Sequence, residues 1–418
     1  MKKLFVIFLL AFLLRISVLF LGYHGDLNNQ ISWGTLAIER GLNGFYEGTS
    51  WPNSSPNQPP LTILLLAGVA GVWQLIHSLS WYLNDHISFF PSSFIWFWEA
   101  KGMILMMKLP SIVADLGIGW LIYQYLRKQK AINNKQVLLV TGVWLFNPLV
   151  WYNSSVWGQT DSIVNLLGLL AVFSLLHKRL RWTASWFTLS VLFKGSLTYF
   201  APILLLIALI QRHSIKEWGI AFAYCLIPIA LVSIWFHPAI DLPIWLFNLY
   251  TNKFIPGEIG DLSANAFNFW QLVDPGKTLD STIYFGLPAR IWGFVPVALV
   301  MVWQLFELKK GVTDKKVFFA LAITAFTVFL FMTRIHERYL YPFFPYATLL
   351  LEFIPLLWLV YIPISIIHLL NLYNLFWVPS IPLVEASLKL PQSLFILSSS
   401  LLLLSVSFIA IYLRNTRR

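Results

Sequence analysis

The sequence predicts an all-α, polytopic helical membrane protein, and three observations carry that prediction. Of its 418 residues, 58% are hydrophobic and only 11% are charged, against roughly 25% charged in soluble domains. Apolar runs close to the ~20 residues that span a bilayer recur along the whole chain. Short basic clusters separate those runs. A soluble core this apolar would leave too little polar surface to keep it in water.

A net charge of +11 can point to nucleic acid, but here the position of the cations decides, and no nucleic-acid partner is expected. Lys and Arg cluster at Lys2 and Lys3; at Arg127, Lys128, Lys130 and Lys135; at Lys178, Arg179 and Arg181; at Arg212 and Lys216; at Lys309, Lys310, Lys315 and Lys316; and at Arg414, Arg417 and Arg418. The positive-inside rule places these clusters, and both termini, on the cytoplasmic side. Most acids fall in the intervening loops, among them Asp26, Glu39, Glu47, Asp85, Glu99, Asp241, Glu258, Asp261, Asp274 and Asp280. The lone Cys225 excludes an intramolecular disulfide and a cysteine-based zinc site.

Taken in order, residues 3–22 form the first span, running outward from the lysine pair as a retained signal anchor. Arg15 inside it faces the bundle interior or snorkels. Outer loop 23–100 follows. It carries an amphipathic helix over 27–40, with Leu27, Ile31 and Ile38 on one side. Pro52, Pro56, Pro59 and Pro60 then force extended chain. The run 61–81 resembles a span, but a crossing there would put the 127–135 cluster outside. It is therefore expected, with the Trp-rich stretch to 100, as juxtamembrane helices on the outer surface. A strong span covers 103–126, with Asp115 bonded to a neighbouring helix.

Residues 136–156 return outward and break at Asn147-Pro148. Asp161 has the position of an N-cap for a span over 161–177. Residues 182–211 lie between basic clusters yet are too few for two full spans. They predict two short helices meeting near Lys194-Gly195, a break tolerated only against a cavity or packed protein. Spans over 217–237, 286–308, 317–333, 339–360, 361–377 and 394–413 complete about twelve crossings. A long outer loop, 238–285, holds the amide- and aromatic-rich SANAFNFWQL.

On this map the outer face collects Asp26, Gln159, Asp161, Asn265, Asn268, Trp270, Arg334, His336, Glu337 and Arg338, with Lys194 approaching from below. Guanidinium and ammonium groups hold a phosphate, while Trp and Asn line the wall. A carboxylate beside them accepts a proton from an attacking hydroxyl. A sugar attached to a lipid phosphate suits that set. Blander readings stand beside it: Asp26 and Asp161 as helix caps, Lys194 as a snorkelling cation, and His336, Glu337 and Arg338 as a local ion network. His24 beside Asp26 offers only two ligands, too few for a metal site.

Four stretches also resemble a known family. The first-loop acid with Phe45-Tyr46 and Pro59-Pro60-Leu61-Thr62, then FNP…WGQTD (146–161), LFKG (192–195) and IHERYLYP (335–342), look like the GT-C glycosyltransferases. Within that group the middle motifs are similar to bacterial polyprenyl-phosphate-mannose-dependent enzymes. The last is similar to the dolichyl-phosphate-glucose-dependent glucosyltransferases. The resemblance covers about residues 1–345, which it implies form the catalytic membrane domain, with 346–418 as further transmembrane helices. It implies Asp26 as catalytic base, Gln159 and Asp161 at the rim of the site, and His336 and Arg338 near the donor phosphate. Many relatives carry Asp-x-Asp in the first loop. Here Asp26-Leu27-Asn28 has one acid, which disfavours a divalent metal and implies no cofactor. The implied activity is inverting transfer of a hexose, mannose before glucose, from a polyprenyl-phosphate donor to an envelope glycan or glycolipid outside the cell membrane. The rival from another class is a lipid-linked glycan flippase, for which inverted-repeat symmetry and midplane charges are expected.

Overall fold

The computed structural model describes residues 2–129, 133–255 and 259–416. Lys130, Glu258, Arg417 and Arg418, part of the charge map above, lie outside the described residues. The described residues are mostly helical, with almost no sheet. The first half of the chain contains α1 Lys2–Val18, α2 Asp26–Glu39, α3 Pro60–His86, α4 Ser92–Phe97, α5 Met103–Arg127, α6 Asn134–Phe146, α7 Pro148–Trp151, α8 Asp161–Leu176, α9 Leu180–Phe193 and α10 Ala201–Ile210. The second half contains α11 Ile215–Ser233, α12 Leu242–Leu249, α13 Trp270–Val273, α14 Ala289–Lys309, α15 Asp314–Phe331, α16 Phe343–Phe353, α17 Trp358–Leu375, α18 Pro382–Leu388 and α19 Pro391–Thr416. Four two-residue strands add two small ladders: β1 Ser263–Ala264 runs parallel to β4 Ile335–His336, and β2 Ile283–Tyr284 antiparallel to β3 Leu287–Pro288.

Among the described residues, six helical runs are long and apolar enough to cross a membrane: 60–86, 92–127, 215–233, 289–309, 355–375 and 391–416. α8, the 195–210 run and α16 are apolar but shorter. Within the 61–100 stretch expected as juxtamembrane helices, residues 60–86 form one uninterrupted 27-residue helix, α3, about 40 Å long at 1.5 Å per residue. α4 then passes through a π turn at Trp98–Gly102 directly into α5. One glycine sets a close approach here. A Cβ on Gly34 would lie 2.6 Å from the Leu66 carbonyl oxygen, so only glycine lets α2 lie this tightly on α3.

α15 is apolar all round and buried at every position from Val317 to Leu330, the pattern of a helix surrounded by protein. α16 joins it in the centre. The peripheral helices instead expose large apolar side chains, among them Phe222 and Leu231 on α11, Leu299 and Phe306 on α14, and Leu403 and Val406 on α19. Such a belt is stable in lipid and aggregates in water.

Several basic side chains gather at one end. Lys128, His177 and Arg179 line one crevice with Asp314. Tyr125 donates to Asp314 at 2.5 Å, and Lys315 to Asn415 at 2.6 Å. Midway along the bundle, Arg15 and Asp115 are wholly buried and pair at 3.2 Å. Arg15 also donates to the Leu145 carbonyl at 2.9 Å. Asp115 further accepts from Ser154, Ser162 and Tyr341 at 2.5–2.7 Å. Arg15 therefore faces inward, and Asp115 is the neighbour it meets.

Candidate active site

The site lies at the end of the bundle opposite the basic crevice, where α2, α3, α8, α9 and the 333–342 segment converge. Each polar side chain is delivered by a local interruption in regular structure. α6 stops at Asn147, whose extended ψ of 119° precedes Pro148. The chain then forms a π turn over Tyr152–Trp157 and ends at Gly158 in the left-handed region, φ 91°. A Cβ on Gly158 would also lie 3.0 Å from Leu27 and 3.2 Å from Lys108. Lys108, fully buried on α5, donates to the carbonyls of Leu19, Gly22 and Val156 at 2.8–3.0 Å. That clasp fixes the chain leaving α1 against the turn that carries Gln159.

Asp26 is the first residue of α2. Its N-cap is Gly25, with no side-chain capping bond, so the carboxylate is spent elsewhere. Gln159 Nε2 donates to Asp26 Oδ2 at 2.5 Å. His24 Nδ1 accepts the Asp26 backbone N–H at 3.1 Å and lies 3.4 Å from Oδ2. Burial raises the Asp26 pKa. The hydrogen bond to His24, the Arg338 and His24 charges and the Gln159 bond outweigh it and hold the carboxyl well below the usual range.

α9 ends at Phe193, Lys194 is extended, and a 3₁₀ turn leads into α10, so the predicted broken pair is present. Lys194 Nζ meets Asp161 Oδ1 at 2.7 Å, both side chains being nearly buried. Asp161 is thus an ion-pair partner; Thr160 holds the cap position of α8, without a side-chain capping bond. Thr62 on α3 donates to the Phe193 carbonyl, closing the helix end beside Lys194.

Arg338 bridges the cluster. Its Nη1 donates to Glu337 Oε1 at 2.7 Å, and its Nε lies 4.0 Å from Asp161 Oδ2. Burial works against its charge, but Glu337, Tyr339, Asp161 and Asp26 raise its pKa above the usual arginine value. Burial likewise works against Glu337, and Arg338 and His336 pull its pKa down. Tyr339 presents its ring to both cations, 5.3 Å from Lys194 Nζ and 5.6 Å from Arg338 Cζ.

Two chambers meet at this cluster. The larger, about 380 Å³, is lined by His24, Trp157, Lys253, Phe254, Asn265, His336, Glu337, Tyr339 and Leu375. The smaller, about 80 Å³, is lined by Gln30, Trp33, Thr62, Gln159, Thr160 and Lys194. Asp26, Asn29, Asn57, Gln58 and Arg338 border both. Asn265 reaches the larger chamber because its loop pairs with the 335–336 strand, and Asn371 of α17 donates to the Asn265 carbonyl at 2.7 Å. Leu375 of α17 is part of that wall, and Asn371 supports it through Asn265.

Three of the expected site residues point elsewhere. Arg334 forms a two-pronged pair with Asp280, at 2.7 and 3.1 Å. Asn268 is wholly buried and its Oδ1 accepts the Trp270 backbone N–H at 3.1 Å. Trp270 donates through Nε1 to the Phe331 carbonyl at 2.6 Å. Among the described residues, no three His, Cys, Asp or Glu side chains converge as a metal site would require. The sequence reading passed over Lys253, Asn29, Asn57 and Gln58. The amides could have been found from their place in the loop that bears Asp26; Lys253 carries no local signal.

No protein-family model matches the chain. Over 105 residues it is 30% identical to GPI mannosyltransferase 1 of Candida albicans, a match that spans about a quarter of each protein.

Proposed function

We propose that this chain is a GT-C-type membrane glycosyltransferase. It moves a hexose, mannose by preference, from a polyprenyl-phosphate carrier to a glycan or glycolipid of the cell envelope. The observation that carries the reading is Asp26, an ionised carboxylate anchored by Gln159 at 2.5 Å and facing a cavity that it shares with Arg338. The partial similarity to a mannosyltransferase supports the same chemistry.

The step is a single inverting displacement. Asp26 takes the proton of the acceptor hydroxyl as that oxygen bonds to the anomeric carbon. The bond from that carbon to the lipid phosphate oxygen breaks on the opposite face, and its electron pair leaves with the phosphate. Arg338, with His336 beside it, neutralises the departing charge, so the reaction proceeds without a metal or a covalent intermediate. Lys194 is committed to Asp161 and acts by holding the floor of the cluster.

In this reading the basic end is cytoplasmic, the site is extracytoplasmic, and α2 and α3 lie at the outer membrane surface within about twelve crossings. Support comes from the gathering of Lys128, His177 and Arg179 at the end opposite Asp26. The test is transfer by purified protein from short-chain polyprenyl-phosphate hexoses to a host lipid extract, with and without EDTA. Transfer that resists EDTA, with inversion at the anomeric carbon by NMR, is the expected result. Movement of labelled lipid-linked glycan across a bilayer without donor consumption would replace the enzyme with a flippase.

A further inference from the structure

We infer that two joined crevices, at the end of the bundle opposite Asp26, bind the headgroup of an anionic phospholipid with one phosphate in each. This site is independent of the chemistry at the other end.

The first crevice, about 340 Å³, lies between the ends of α5 and α8 and reaches the start of α15. Its volume falls within the roughly 300–1,000 Å³ of ligand sites. Lys128, His177 and Arg179 line it, with the neutral Gln124, Gln129 and Ser174 and one acid, Asp314. The second crevice, about 220 Å³, lies between the start of α9 and α11 and carries Lys178, Arg179, Arg181 and Glu217. Arg179 belongs to both, and its forked guanidinium has donors enough for the oxygens of two phosphates. Lys178 sits just past the end of α8 at φ 57°, a left-handed position that glycine usually fills. The tight turn into α9 thus carries its cations in succession.

These cations lack internal counter-charges. Among the described residues, the side chains of Lys128, Lys178, Arg179 and Arg181 have no hydrogen-bond or ion-pair partner. Both acids are already engaged. Asp314 Oδ2 accepts the Tyr125 hydroxyl at 2.5 Å, and Glu217 Oε2 accepts the Ser214 backbone N–H and hydroxyl at 2.8 and 3.0 Å. A doubly negative headgroup supplies the missing charge. Three features favour a lipid over a soluble anion. Leu121, Leu170, Phe173 and Leu176 give the first crevice an apolar wall. The crevices open where the apolar runs 92–127 and 215–233 end and begin, the depth at which headgroups lie. Beside the second crevice the exposed Trp182 stacks on Trp186 at 6.3 Å and meets Tyr224 edge-on at 5.5 Å, as in the aromatic belt of a membrane interface. Basic pockets between helices at that level recognise anionic headgroups.

The test is native mass spectrometry of full-length, delipidated protein in detergent, titrated with cardiolipin, phosphatidylglycerol, phosphatidylcholine or inorganic pyrophosphate. Cardiolipin, with two phosphates, is expected to bind tightest, and phosphatidylcholine at least about 10-fold more weakly. Lys128→Gln and Arg179→Gln are each expected to weaken cardiolipin about 5-fold, the worth of one cation at a lipid surface. Lys309→Gln removes the same charge from the end of α14, outside both crevices, and is expected to change nothing. Unfolding temperatures without lipid verify that each variant is folded. Equal binding of phosphatidylcholine, full affinity in the crevice variants, or an equal loss in Lys309→Gln would overturn the site in favour of diffuse surface charge. Displacement of cardiolipin by pyrophosphate at equal concentration would make the occupant a soluble anion and overturn the lipid. Phosphatidylglycerol bound as tightly as cardiolipin would overturn the placing of one phosphate in each crevice. None of these outcomes bears on sugar transfer.

Discussion

Gln159 Nε2 donates to Asp26 Oδ2 at 2.5 Å, and this bond ties helix α2 to the turn that opens α8. It fixes one carboxylate oxygen and, in the proposed mechanism, leaves the other for a substrate proton. Gln159→Leu is expected to lower kcat about 10–100-fold, since a hydrogen bond to a charged group is worth ~1.5–3 kcal/mol. Gln159→Glu puts a second carboxylate against Asp26 and raises its pKa, so the acid limb of the rate profile should move to higher pH. Steady-state kinetics across pH read both effects.

The pH dependence of the wild type follows from the same carboxylate. In the free protein Asp26 titrates below its usual value, chiefly because His24 and Arg338 outweigh the effect of burial. kcat/KM reports the free enzyme, so it should hold level as pH falls until well below the ordinary Asp range. A donor phosphate seated on Arg338 offsets the guanidinium charge and raises the Asp26 pKa, so the acid limb of kcat should lie at higher pH than that of kcat/KM. Because the folded pKa is depressed, Asp26 contributes stability above its unfolded pKa, and that contribution is lost as pH falls through the folded value. Coincident limbs for kcat and kcat/KM would count against the Arg338 coupling.

Lys194 and Asp161 form a nearly buried pair at 2.7 Å. Removing one partner strands the other, which typically costs 3–5 kcal/mol, roughly, for a buried ion pair. Lys194→Met should therefore unfold at a clearly lower temperature in detergent. The double variant Lys194→Met with Asp161→Leu should recover much of that stability and stay slow in transfer. A double variant as active as wild type would make the pair purely structural.

The pair between Arg15 and Asp115 lies deeper, with no surface exposure on either side chain. Asp115→Ala leaves Arg15 buried and uncompensated and frees Ser154, Ser162 and Tyr341. Its cost is again about 3–5 kcal/mol, read as a drop in unfolding temperature. Protein that remains folded at low temperature should keep its donor KM, because the pair is not part of either chamber.

Much of this was legible in the chain. Apolar spacing located most helices to within a few residues, and the crowding of 182–211 between basic clusters foretold the break at Lys194. The acid after the first helix and the His-Glu-Arg run marked side chains that line one cavity. Side-chain direction was the part hidden from sequence. Arg334 and Arg338 are four residues apart, yet one turns to Asp280 and the other to the cavity, because Arg334 sits at φ 61° while its chain enters the β4 pairing. Asn268 and Trp270 read as a sugar platform but close the loop onto α15. Asp161 read as a cap because the cation it pairs with arrives from 33 residues away. Lys108 gave no sign that it would clasp three carbonyls at 0% exposure.

The most direct test of the central claim is the transfer rate of Asp26→Asn beside wild type, with the same short-chain polyprenyl-phosphate mannose donor and lipid acceptors. The substitution keeps the side-chain shape and removes the base. General-base catalysis is typically worth about 10²–10⁴ in rate, so kcat should fall by at least ~100-fold with the donor KM little changed. Transfer at near wild-type rate by a folded Asp26→Asn protein would contradict the account and remove Asp26 from the chemistry.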